Sequence, residues 1–189
     1  MKKGEWIYQQ YLNILREELR PAMGCTEPIA LALAGAKAKL LLGCLPDRVD
    51  IRVSGNIIKN VKSVVVPNTG GLHGLEAAAA AGIVAGDPDK QLLVISQVTD
   101  SQKTEIAAFL QEKKFRVEES DSGELFDIQI TLTGEGHTAQ SRICGSHTNV
   151  VQVTRDGETV FQRSWDCADV QEDPDAALLQ VERIVEFAD

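Results

Sequence analysis

The sequence predicts an α+β protein: a helical N-terminal part with glycine-rich loops, followed by a mostly antiparallel sheet with helical cover. Three observations carry this expectation. Two stretches rich in alanine and leucine, Ile29 to Leu42 and Gly74 to Ala85, are too long and too small-sided to be strands. Several short alternating apolar runs follow between Phe126 and Arg163. Asp156-Gly157 separates the last two of these runs and is a strong signal for a tight hairpin.

In chain order, residues 5 to 20 read as an amphipathic helix with Ile7, Tyr11, Ile14, Leu15 and Leu19 on one stripe, stopped by Pro21. A second helix begins near Thr26-Glu27-Pro28, with Thr26 as the expected N-cap, and ends at Gly43. Residues 49 to 54 alternate as a strand and lead into the loop Gly55-Asn56-Ile57-Ile58-Lys59-Asn60; Val64 to Val66 suggests another short strand. After the loop Pro67 to Gly74 comes the alanine-rich helix. Leu92 to Val98 reads as a strand, Ser101 to Lys113 as a helix, and Phe115 to Glu118 as a strand. The runs 126–133, 138–143, 150–154 and 159–163 complete the sheet, and Asp173-Pro174 opens a last helix with Leu178, Val181 and Val185 on its stripe. The expected division is a helical part over 1–90, a sheet lobe over 91–165, and a linker with C-terminal helix over 166–189. The chain stops at Asp189 with no glycine cap or closing loop, the pattern expected of a longer protein cut within or just after a helix.

With 189 residues and 43% hydrophobic composition, the chain can bury a sizeable core. Its net charge of -9 repels phosphate backbones and anionic lipid, which argues against nucleic-acid or membrane-surface binding. No apolar run spans a bilayer, and Met1-Lys2-Lys3-Gly4-Glu5-Trp6 lacks the apolar stretch of a signal peptide, so a cytoplasmic location is expected. Cys25, Cys44, Cys144 and Cys167 show none of the close spacings of a zinc knuckle or dithiol redox site. Most such cysteines are small buried apolar residues.

Cys25 differs because it lies in Gly24-Cys25-Thr26-Glu27-Pro28, at the start of a helix. Free backbone N–H groups and the positive helix end favour a thiolate there, the form that binds metal or attacks an electrophile. Asn56, Lys59 and Asn60 at a strand end have the amide and ammonium groups to bind a carboxylate and an amine, although a solvated turn is the commoner role for such a segment. The loop Asn68-Thr69-Gly70-Gly71-Leu72-His73-Gly74 feeds a helix start and could hold an anion, but has neither the ending of a P-loop nor a dinucleotide fingerprint. His147 in Gly145-Ser146-His147-Thr148-Asn149 could move a proton; His73 and His137 also fall on expected loops.

In order along the chain, Gly24–Pro28, Ser54-Gly55-Asn56-Ile57-Ile58-Lys59-Asn60, Val66-Pro67-Asn68-Thr69-Gly70, the following alanine-rich helix and His147-Thr148-Asn149 resemble the iron–sulfur-dependent L-cysteine desulfidases, relatives of the L-serine dehydratase α chain. The resemblance implies that Cys25 is one of three cysteines holding a [4Fe–4S] cluster. It also implies that Asn56, Lys59, Asn60, Thr69 and Gly70 help bind a small amino-acid substrate. One iron without a protein ligand would act as Lewis acid on the leaving sulfhydryl or hydroxyl. Removal of the Cα proton would then give aminoacrylate, which hydrolyses to pyruvate and ammonia. Glu27 and His147 are the candidates for the base. Family members are longer than this chain. Cys44, Cys144 and Cys167 do not match the other two cluster positions, so the expected partner is the C-terminal portion of the same enzyme. Two other readings remain: an amino-acid-binding or regulatory module without catalysis, and a structural subunit completed by a partner chain.

One matched thiolate cannot hold four irons. The chain purified alone without oxygen is therefore expected to carry no cluster, and a brown protein with stoichiometric iron and sulfide would contradict this.

Overall fold

The computed structural model describes residues 2–19, 21–164 and 178–189. The chain divides into two compact units, Met1–Pro21 with Asp166–Asp189, and Ala22–Trp165. In the first unit, α1 (Trp6–Glu18) and α6 (Val181–Ala188) meet through aromatic rings. Phe187 lies 4.9 Å from Tyr8 and 5.0 Å from Tyr11 between ring centroids, and the Tyr11 hydroxyl donates to the Leu178 carbonyl. Asp173 and Pro174, expected to open this helix, fall outside the described residues. α6 begins only at Val181, with Gln180 as its N-cap, so Leu178 precedes the helix whose stripe it was expected to join.

The second unit runs α2 (Thr26–Leu42), β1 (Arg48–Val53), α3 (Gly55–Val61), α4 (Leu75–Ala85), a 3-10 turn (Pro88–Leu93), α5 (Asp100–Glu112), β2 (Lys114–Glu119), β3 (Asp127–Gly134), β4 (His137–Cys144), β5 (Val150–Arg155) and β6 (Glu158–Gln162). Its sheet has the order β2-β1-β3-β4-β5-β6, with β1 and β2 parallel and the other neighbours antiparallel. The α+β class expected from the sequence is the one observed. Residue 90 is not a boundary in this fold. β1 precedes it in the chain but lies between β2 and β3, so the two expected parts share one sheet.

Alternation sets the two faces of the sheet. Val49, Ile51, Val53, Ile128, Ile130, Leu132, Ala139 and Ile143 are buried on one face, which α2 covers over β3, β4 and β5. Arg48, Asp50, Arg52, Gln129, Thr131, Gln140 and Arg142 occupy the other, which is polar and only partly covered. There Arg142 Nε and Nη2 donate to Asp127 at 2.8 and 3.1 Å, tying β3 to β4. Burial alone would raise the Asp127 carboxyl, but Arg142 and the Ser122 and Ser120 hydroxyls hold it below its usual value. Asp156 and Gly157 have φ of 51° and 85°, the paired positive angles of the expected β5–β6 hairpin turn.

Three local expectations are corrected. Gly55–Val61 is helix α3 and not a strand-end loop: Ile57 and Val61, one turn apart, are both fully buried, which outweighs the poor helix propensities of Gly55, Asn56 and Asn60. Val64–Val66 contributes only an isolated bridge, Val65 to His73. Leu92–Val98 is no strand; the 3-10 turn, started by Pro88 and by Asp87 accepting from the Asp89 N–H, runs into a further turn. Leu92, Val94 and Ile95 are nonetheless buried, and a short apolar run alone does not tell a strand from a buried turn. The α5 start is as its sequence suggests, with Thr99 and Gln102 forming a reciprocal capping box. Among the described residues no helix is long and apolar enough to cross a membrane.

Against α2, α4 packs so closely that a Cβ on Gly82 would lie 1.9 Å from the Ala32 carbonyl oxygen. Gly82→Ala would add about 1 kcal/mol of helix propensity but would force the two backbones apart. The variant is expected to lose about 3 kcal/mol of stability, read from the midpoint of urea unfolding at unchanged slope.

Candidate functional site

Cys25 itself occupies the N-cap position of α2, with φ of -60° and ψ of 125°, and Thr26 is already helical. The expected Thr26 cap is thus displaced by one residue, and the Thr26 hydroxyl is free to turn toward other partners. It lies 2.9 Å from His147 Nε2, across 121 residues of sequence, and donates to Glu27 Oε2 at 3.4 Å. The same Glu27 oxygen accepts from Cys25 Sγ at 3.1 Å, while Glu27 Oε1 accepts from Asn60 Nδ2 at 3.3 Å. A thiol, a hydroxyl, a carboxylate, an imidazole and an amide therefore form one connected group at the start of α2.

Each partner is placed by its own element. Asn60 sits on α3, whose buried Ile57 and Val61 fix the rotation of that helix. His147 sits on the β4–β5 loop, closed by the Gly145 N–H to Phe126 carbonyl bond at 2.9 Å, the Cys144 N–H to Asn149 carbonyl bond at 3.1 Å, and Asn149 Nδ2 to the Cys144 carbonyl at 2.9 Å. The Phe126 ring meets the His147 ring edge-on, with centroids 4.6 Å apart. The Phe126 contact has no sequence signal. The Asn60 contact has one: apolar residues four apart in Gly55–Val61, the spacing of a helix.

The charge state of Cys25 differs from expectation. Its thiol is exposed at the helix start, yet its pKa is raised: burial contributes most, and the hydrogen bond to Glu27 and that carboxylate's charge add to it. Glu27 moves the other way. Burial would raise its carboxyl, but the Cys25 hydrogen bond, its own N–H, His147 and Asn60 hold it below the usual value. At neutral pH the pair is a thiol donating to a carboxylate.

The remaining sequence candidates do not join this group. Thr69 is 3% exposed and its hydroxyl donates to the Val66 carbonyl at 2.8 Å and the Leu72 carbonyl at 3.4 Å, so it closes its own loop instead of facing a ligand. Gly70 is exposed on that loop, and Asn68 anchors the loop to the Ile95 and Ser96 carbonyls. The loop does approach the cysteine segment, with Pro67 Cγ 3.8 Å from the Cβ position of Gly24. Asn56 is exposed, and Lys59 lines a separate open cleft of about 550 Å³ with Lys62, Ser63 and Glu119, in which Cys25 has no part. Of the expected substrate residues, Asn60 therefore joins Cys25, Glu27 and His147, whereas Asn56, Lys59, Thr69 and Gly70 stand apart from that hydrogen-bonded group. His137 is engaged elsewhere, 2.8 Å from Asp156.

Cys25 has the exposure and chemistry of an iron ligand. Among the described residues, however, no group of three or more His, Cys, Asp or Glu is placed to hold a metal ion. Cys144 is buried at the end of β4, and burial, with the charges of Asp127 and Glu124, pushes its thiol up to about 11. Cys44 is half-buried, and Cys167 lies outside the described residues.

Fold and site thus define an α+β protein that presents an accessible thiol beside a carboxylate and an imidazole. No family model matches the chain. It is similar to UPF0597 proteins: that of Desulfitobacterium hafniense is 49% identical over 189 residues, covering 100% of this chain and 44% of the relative. The UPF0597 protein of Oleidesulfovibrio alaskensis is 43% identical over 161 residues, covering 85% of this chain and 37% of the relative. That of Treponema denticola is 38% identical over 183 residues, covering 96% and 42%. The chain therefore spans less than half the length of these relatives.

Replacing Glu27 by Gln removes both the charge and the charged acceptor that keep the Cys25 proton in place. Alkylation of Cys25 by iodoacetamide at pH 8 is expected to become roughly twofold faster or more in Glu27→Gln, followed by mass spectrometry of the Cys25 peptide.

Proposed function

We propose that this chain is part of a [4Fe–4S]-dependent amino-acid lyase that eliminates sulfide from L-cysteine or water from L-serine. In this reading the further length of its relatives supplies the remaining cluster ligands. The observation that carries the reading is the convergence of the Gly24–Pro28 segment with His147 and Asn60 around one accessible thiol. Cys25 would give one thiolate to the cluster, which when bound supplies Lewis acidity toward the leaving sulfur or oxygen.

The chain's own residues handle protons. Glu27, a carboxylate at neutral pH, already accepts the Cys25 Sγ proton and is the group that receives it when Cys25 becomes a ligand. His147 Nε2, Thr26 Oγ1 and Glu27 Oε2 form a continuous hydrogen-bonded path, so a proton taken at one end can be shared with the other. A base at either end of that path removes the substrate Cα proton. The electron pair forms the Cα–Cβ double bond, and the Cβ–S or Cβ–O pair departs with sulfide or hydroxide. The aminoacrylate released tautomerises to an imine, and water converts that to pyruvate and ammonia. Asn60, by donating to Glu27 Oε1, orients the carboxylate so that Oε2 meets Cys25 and Thr26.

A second reading, a module that binds an amino acid without transforming it, draws on the Lys59 cleft. Lys59 and Lys62 face a carboxylate's charge there and Glu119 an ammonium's.

In the complete enzyme assembled without oxygen, Cys25→Ser is expected to lose both cluster iron and pyruvate formation, whereas Cys167→Ser keeps most of each. His147→Ala is expected to retain the iron while kcat falls by roughly 10²–10⁴. Full activity in Cys25→Ser, or equal loss in Cys25→Ser and Cys167→Ser, would remove the basis of the lyase reading.

A further inference from the structure

The two edges of the sheet are unlike. β2, at one edge, reads Lys-Phe-Arg-Val-Glu-Glu, and such a density of charge blocks pairing with another strand. β6, at the other, reads Glu-Thr-Val-Phe-Gln. Every residue of it is exposed, Val160 at 61% and Phe161 at 42%, and among the described residues it has a strand neighbour on one side only. Phe161 stands opposite Val153 of β5, and both line a groove of about 340 Å³ floored by Leu33 of α2. The Lys37–Asp89 pair, 3.7 Å apart, also lines it and balances its own charge. Thr148, next to His147, also lines the groove. Thr26, Leu33 and Lys37 are spaced seven and four residues apart and so share one stripe of α2, the stripe whose first residue meets His147.

We propose that β6 and this groove seat an extended apolar segment of the further polypeptide that the UPF0597 relatives carry. The segment adds a seventh strand to the sheet and lays alternate side chains over Phe161, Val153 and Leu33. Length argues for this occupant: the chain accounts for 44% of the Desulfitobacterium hafniense relative, so more than half of such a protein needs a surface to pack on. The chemistry of the edge argues for the manner. Backbone pairing supplies affinity, and the alternate side chains facing Leu33, Val150, Val153 and Phe161 supply selectivity for apolar residues. A segment seated there contacts Thr148, the neighbour of His147 in the β4–β5 loop. The docking does not depend on the lyase reading, because it concerns a surface and not a reaction.

The test is amide hydrogen exchange. In the full-length D. hafniense protein with its matched 189 residues replaced by this chain, amides of residues 158–162 should exchange at least roughly tenfold more slowly than in this chain alone, with residues 114–119 unchanged. Phe161→Asp in that full-length chimera should restore the fast exchange, while Leu45→Asp, an exposed position away from the groove, should not. The native D. hafniense protein gives an independent reading: its peptide aligned with 158–162 should exchange slowly too. Three results overturn the proposal: equal β6 exchange in long and short chains, new protection at β2 instead, or β6 protection in this chain alone that grows with concentration as a second copy would cause.

Discussion

The close approach of α2 and α4 is the constraint on which the larger unit depends. With no side chain at Gly82, the backbone of α4 lies directly on Ala32, and the alanines of both helices fill the seam without polar atoms that would need partners. α2 is consequently enclosed by α4 and the 3-10 turn on one side and by β3, β4 and β5 on the other. A helix held so completely cannot rotate or slide without opening the core. Its first turn is therefore a fixed platform, and whatever Cys25, Thr26 and Glu27 present is presented in one orientation.

On that platform two electrostatic influences compete at Cys25. The helix start favours a thiolate, but such an effect is typically about 0.3–1 kcal/mol at an exposed site. A carboxylate 3.1 Å away that also accepts the thiol proton works against it together with burial, and these prevail. The consequence is a cysteine that stays protonated until something takes its proton or replaces it with a metal. Glu27, already ionised and connected to His147 through Thr26, is placed for the first of these.

How much of this could be read from the sequence depended on how local the signal was. The antiparallel strands from 127 to 162 have alternation and turn residues that act within a few positions, and their limits were close to those expected. α3 was hidden because its glycine and asparagines suggest a turn, while the burial that makes it a helix depends on distant parts of the fold. The position of β1 between β2 and β3 was equally hidden, since strand pairing has no local marker. Cys25, Glu27, Asn60 and His147 were each conspicuous alone. Only the fold could select Asn60 over Asn56 and Lys59, and remove Thr69 by burying its hydroxyl in its own loop.

The placement of β1 also bears on how the protein is made. Both of its neighbours come much later in the chain, at Lys114 and Asp127. A ribosome adds about 5–20 residues per second, so β1, together with the apolar surfaces of α2 and α4, waits several seconds for the strands that cover it. During that interval a bare strand and two greasy helices stand in solution, the circumstances in which nascent chains aggregate or recruit chaperones. The β3–β6 meander, whose pairings are all between successive strands, emerges after β1 and β2 and completes the sheet.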